Sequence, residues 1–190
     1  MLIHQPELDE DGFFPKGTAS VCLAGSPRQC YTPPADFGRN AEAEVVQLQK
    51  GFSALLFSAA SGGVSGFRIH FALLRPGTGK KLENWFMDEM ELSNQSQYAF
   101  WTDLSISNAK LFVTADYVWG PDDGHYGPHK YMISVYLRRS SSILDGRYYY
   151  LSDRYMTARK YDLEAKADVL GSERPEIIAR LKRVKQLNPR

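Results

Sequence analysis

Apolar and polar residues alternate with a period of two along much of this chain, most clearly in its middle. Over residues 111–119, Leu111, Val113, Ala115, Tyr117 and Trp119 share one parity, while Phe112, Thr114, Asp116 and Val118 take the other. Successive side chains of a strand point to opposite sides, so both faces of this segment are partly apolar, as an interior strand requires. Residues 131–137 repeat the pattern, with Tyr131, Ile133, Val135 and Leu137 set against Met132, Ser134 and Tyr136. Their β-branched and aromatic content favours strand over helix.

Shorter runs at 20–24, 42–49, 52–59, 67–74 and 98–102 read as further strands. Those at 147–151 and 155–161 are expected to form a last hairpin through Ser152-Asp153. Gly51, the glycine-rich 61–66 and the 75–80 segment supply turn chemistry between strands. Residues 82–92 fit either a short helix or a strand, and a strand near 89–92 is favoured. This spacing predicts a mainly β fold, an antiparallel β-sandwich or barrel-like arrangement closed by a C-terminal α-helix. Three regions are expected: an irregular N-terminal arm at 1–17, a β-rich domain at 18–165, and an amphipathic basic helix at 166–190.

That helix is read from a change of period after residue 172. Ile177, Leu181 and Val184 recur at helical intervals, and Ile178 widens the stripe. Ser172 is the expected cap, with Glu173 and Glu176 near the positive end of the helix dipole. Residues 171–190 carry six basic and two acidic side chains, a local charge of +4. A solvated basic face is the plain reading. The sharper one is docking to a protein partner or self-association through this helix. Nucleic acid is disfavoured, because the whole chain carries only +1 and the basic block has no interleaved aromatics.

No apolar run is long enough to span a bilayer, and no signal peptide is visible in the chain as given. Cys22 and Cys30 flank a turn-forming insert, Leu-Ala-Gly-Ser-Pro-Arg-Gln, that would let their sulfurs meet. A disulfide is expected there, with two buried thiols as the alternative. The bridge would imply an oxidising, extracytoplasmic compartment, secreted or periplasmic.

The segment 120–129, Gly-Pro-Asp-Asp-Gly-His-Tyr-Gly-Pro-His, interrupts the two central strands with residues neither can accommodate. At about ten residues it exceeds a tight hairpin turn, and long loops carry function more often than short ones. Asp122, Asp123, His125 and His129 form a candidate set for a divalent metal ion, which could activate water. Asp116, Trp119 and Tyr126 are candidate ligand contacts. The plain alternative is turn aspartates and surface histidines. Gly127 and Pro128 also keep the two histidines from sharing a helical face.

Elsewhere His70 reads as core-edge packing beside Arg68. Ser61-Gly-Gly-Val-Ser-Gly-Phe67 fails the nucleophile-elbow pattern, and Gly77-Thr-Gly-Lys-Lys81 fails the phosphate-loop pattern. The leading expectation is therefore a non-enzymatic, extracytoplasmic β-sandwich module for binding or assembly. Its rivals are a metal-dependent hydrolase centred on 116–129 and an aromatic-surface glycan binder using Trp85, Trp101, Trp119, Tyr148, Tyr149, Tyr150 and Tyr155.

Overall fold

The computed structural model describes residues 1–12, 14–25, 28–34, 36–63, 66–86, 89–93, 95–103, 106–124, 127–136, 147–156 and 167–187. The chain divides into two compact units, Met1–Asn94 with Ser140–Leu144, and Gln95–Arg139 with Asp145–Arg190. The β-rich region expected over 18–165 contributes to both units. Three antiparallel sheets and a C-terminal helix make up the described fold, and the sheets are open, not closed into a barrel.

In the first unit, β1 (Leu2–His4), β2 (Ser20–Leu23) and β3 (Gln29–Tyr31) form a three-stranded sheet in that order. Within the span read as an irregular arm, Leu2–His4 therefore pairs with Ser20–Leu23. The second sheet runs β4 (Arg39–Gln49), β5 (Phe52–Gly63), β6 (Gly66–Pro76) and β7 (Leu82–Asn84), and β8 (Met90–Ser93) also pairs with β6. Gly51 turns β4 into β5 at a φ of 73°, where a side chain would be strained. Val21 and Phe37 pack with Leu55, Phe57, Ala59, Ala72, Leu74 and Leu82 in one buried core shared by the two sheets.

The ambiguous 82–92 stretch resolves as β7 and β8, both laid against β6 and separated at Trp85 and Phe86. Both rings are buried, and Trp85 stacks on Phe52 at 4.9 Å. The Asn84 carboxamide oxygen accepts from the Leu73 and Phe86 amides, satisfying donors that the interruption would strand. Cys22 and Cys30 stand directly opposite each other on β2 and β3, and their sulfurs are bonded at 2.08 Å.

The second unit is a sheet ordered β12 (Arg147–Leu151), β11 (Pro128–Tyr136), β10 (Leu111–Val118) and β9 (Gln97–Trp101). Tyr117 pairs with Tyr131, Ala115 with Ile133 and Val113 with Val135, so the parities read from sequence meet on one face. That face is covered by α1 (Val169–Leu187) through Val169, Leu170, Ile177 and Leu181.

The last hairpin is different from the expectation. β12 and β13 (Tyr155–Met156) do not pair with each other but lie along the same edge of β11. Met132 faces Leu151 and His129 faces Tyr155, so one extra residue is absorbed in Ser152–Asp153–Arg154 as a bulge. Ser152 makes this possible: its amide donates to the Tyr131 carbonyl, and its hydroxyl accepts from the Tyr131 amide. The remainder of the expected strand, residues 157–161, lies outside the described residues.

The helix begins at Val169, inside the 166–190 region expected for it but ahead of the change of period read after residue 172. Asp168, not Ser172, is the cap, its carboxylate accepting from the Gly171 amide at 2.8 Å. Gln97 of β9 provides a second cap from across the unit: its oxygen accepts from the Val169 and Leu170 amides, and its nitrogen donates to the Ala167 carbonyl. The first turn is thus fastened to the sheet by a side chain, which neither apolar periodicity nor local capping rules reveal.

Candidate functional site

The rim of the second unit's sheet holds the residues singled out from the 116–129 segment, and the pleat sorts them. Asp116 points to the face opposite Tyr117 and accepts a hydrogen bond from the Ser96 hydroxyl. It therefore does not converge with His129, which lies on the Tyr117 side of β11. Asp122 is exposed. His125 and Tyr126 lie outside the described residues.

Asp123 and His129 do come together. His129 is fully buried within β11, not a surface histidine. Its Nε2 lies against the Tyr117 hydroxyl and, at 2.8 Å, the Gly124 carbonyl. Its Nδ1 is 3.4 Å from an Asp123 carboxylate oxygen and has no hydrogen-bond partner among the described residues. Asp123 is bonded further: one oxygen accepts from the Gly120 amide at 2.7 Å and the other from Arg154 at 2.8 Å.

These bonds, the Arg154 one foremost, hold the Asp123 carboxyl below its ordinary pKa. Arg154 also donates to the Pro128 carbonyl, so one guanidinium spans both ends of the loop. A side chain at Gly120 would meet the Asp123 carboxylate at 2.9 Å, and glycine is what admits that approach. Trp119 caps the cluster edge-on to Tyr117 and His129, at 5.1 and 5.4 Å, with 50% of its surface exposed.

Chemically, this cluster is a loop lock. Among the described residues, no group of three or more His, Cys, Asp or Glu side chains is placed to hold a metal ion. The Asp123–His129 pair could contribute two ligands, but Arg154 and the Gly120 amide already engage the carboxylate, and Nε2 is engaged by Tyr117 and Gly124.

Glu173 and His70 are further buried polar groups outside this loop. Glu173, read from sequence as suited to the positive end of the helix dipole, is buried and accepts from the Tyr150 hydroxyl at 2.5 Å and the Tyr155 hydroxyl at 2.6 Å. Burial, and then the bonded carboxylate, push the Tyr155 phenol up to about 12 and that of Tyr150 still higher. Arg180 lies over the Tyr150 ring at 4.1 Å. The sequence signal was available in principle: Glu173 precedes Ile177 by four residues, and so shares its buried stripe.

In the first unit, His70 is deeper than the core edge expected for it. It is fully buried, accepts or donates through Nε2 to the Tyr31 hydroxyl at 2.8 Å, and lies 5.2 Å from the Phe37 ring. Desolvation lowers its pKa from 6.5 to about 4, and pushes the Tyr31 phenol up to about 12.

Fold and site together define an antiparallel β protein whose second unit is a sheet backed by one helix and tied at its rim by a charged loop. No family model, curated protein or solved structure matches this chain.

Proposed function

We propose that this chain is a non-enzymatic, extracytoplasmic β-sandwich module used for binding or assembly. The observation that carries the reading is the internal use of the loop's chemistry: Asp123, His129, Tyr117 and Arg154 bond to one another and to loop backbone. A catalytic carboxylate or imidazole must reach a substrate instead. The Cys22–Cys30 bridge supports the extracytoplasmic setting. The exposed basic residues Lys182 and Arg183, adjacent on α1, supply a patch for an acidic protein partner.

Metal analysis of the purified chain and of His125→Ala and His129→Ala tests this reading. The expected result is no stoichiometric divalent ion and no change in melting temperature on adding zinc. Stoichiometric metal that disappears in both variants would overturn this reading in favour of the metal-dependent alternative.

A second reading, an aromatic ligand platform, is favoured by the exposure of Trp119, Tyr98 and Tyr149. Glycan-array binding lost on Trp119→Ala supports it, and binding indifferent to all three aromatics rejects it.

A further inference from the structure

Between β9 and the first turns of α1 lies a cleft of about 420 Å³, lined chiefly by Gln97, Ala99, Trp101, Asp168, Leu170 and Arg174, with the Asp168 carboxylate engaged by the Gly171 amide. Its size falls within the range of small-molecule sites. The sequence makes the hollow. Along β9 the helix-facing positions run Gln97, Ala99, Trp101, large-small-large, and Gly171 also lines the cleft without a side chain. A Cβ at Gly171 would fall 2.1 Å from an Asp168 oxygen, so the cap itself keeps that position empty. The helix N-terminus is not the ligand-binding element here, because Gln97 and Asp168 already take the Val169, Leu170 and Gly171 amides.

What remains to recognise a ligand is Arg174. Its guanidinium lies 5.2 Å above the Trp101 ring, and among the described residues it has no ion-pair partner. Stacking uses the flat face of a guanidinium and leaves the N–H donors around its edge for a carboxylate, often in bidentate fashion. Beside it, Ala99 and Leu170 offer apolar surface for a carbocyclic or pyranose ring.

We propose that this cleft binds a small carboxylate-bearing ring compound, with the carboxylate on Arg174 and the ring against β9. The proposal rests on the binding-module reading for its purpose. Its test is separate: metal content decides that reading, and ligand titration decides this one.

The indole N–H signals of the ¹⁵N-labelled full chain are followed during titration with benzoate and with glucuronate, the Trp101 signal being assigned through Trp101→Phe. Benzyl alcohol and methyl glucoside serve as the neutral counterparts. One or both acids should shift the Trp101 signal saturably at millimolar concentration, and which acid does so distinguishes an aromatic from a sugar ligand. Arg174→Gln should weaken that binding by about tenfold or more. Ala99→Leu should abolish it by filling the hollow. Arg174 is exposed, so its variant tests the idea even where the leucine disturbs folding. No saturable shift with either acid, equal shifts with the neutral compounds, or undiminished binding in Arg174→Gln would overturn the proposal.

Discussion

Acidification should loosen the first unit through His70. The ring is fully buried between Tyr31 and Phe37, and its Nδ1 has no partner among the described residues to stabilise a second proton. Its folded pKa is about 4 against 6.5 for the unfolded group, so protons bind the unfolded chain first. Stability from this residue is therefore complete above the unfolded value and drains away as pH falls toward the folded one. Linkage places the loss at about 2 kcal/mol between about pH 7.5 and about pH 5, and at about 3 kcal/mol below both values.

Urea unfolding across this range measures it, with His70→Gln as the comparison, since glutamine keeps a polar group for Tyr31 without titrating. The wild-type stability should fall about 2 kcal/mol more than the variant's over that interval. Parallel pH profiles for the two proteins would refute the reasoning, because they differ only at residue 70.

Reducing the Cys22–Cys30 bridge, which closes a loop of sequence separation 8, should cost about 2–3 kcal/mol on the chain-entropy model. Urea midpoints with and without reductant measure it, and unchanged midpoints would mean the bridge leaves the unfolded chain unconstrained. Glu173→Ala should destabilise by about 2–4 kcal/mol, because the Tyr150 and Tyr155 hydroxyls both lose a charged acceptor. In Glu173→Gln only part of the Tyr155 pKa rise should vanish in a spectrophotometric titration, since burial is its larger cause.

How far the sequence carried this picture depended on the range of the forces involved. The β10–β11 pairing was legible because Leu111, Val113, Ala115 and Tyr117 must share a face with Tyr131, Ile133 and Val135, and strand parity is a local property. The Cys22–Cys30 pairing was legible for the same reason, its turn lying between the partners. The division of roles around the loop was not. Parity already separated Asp116 from Tyr117, yet grouping acids and histidines by nearness in sequence hid it. His129 could not be recognised as buried without knowing that Arg154, far along the chain, ties down Asp123 and the Pro128 carbonyl. The fastening of the helix start was not legible either, because Gln97 lies 72 residues from Val169 and carries no local sign of capping.

The Gln97 cap has a kinetic consequence. It reaches the Val169 amide across 72 residues, so the first turn of α1 acquires this partner only when β9 and the C-terminal segment have met. Closing so long a loop costs entropy before any contact repays it, which delays that event relative to strand–strand pairing between near neighbours. A peptide of the helix alone would lack this partner and should fray at its beginning.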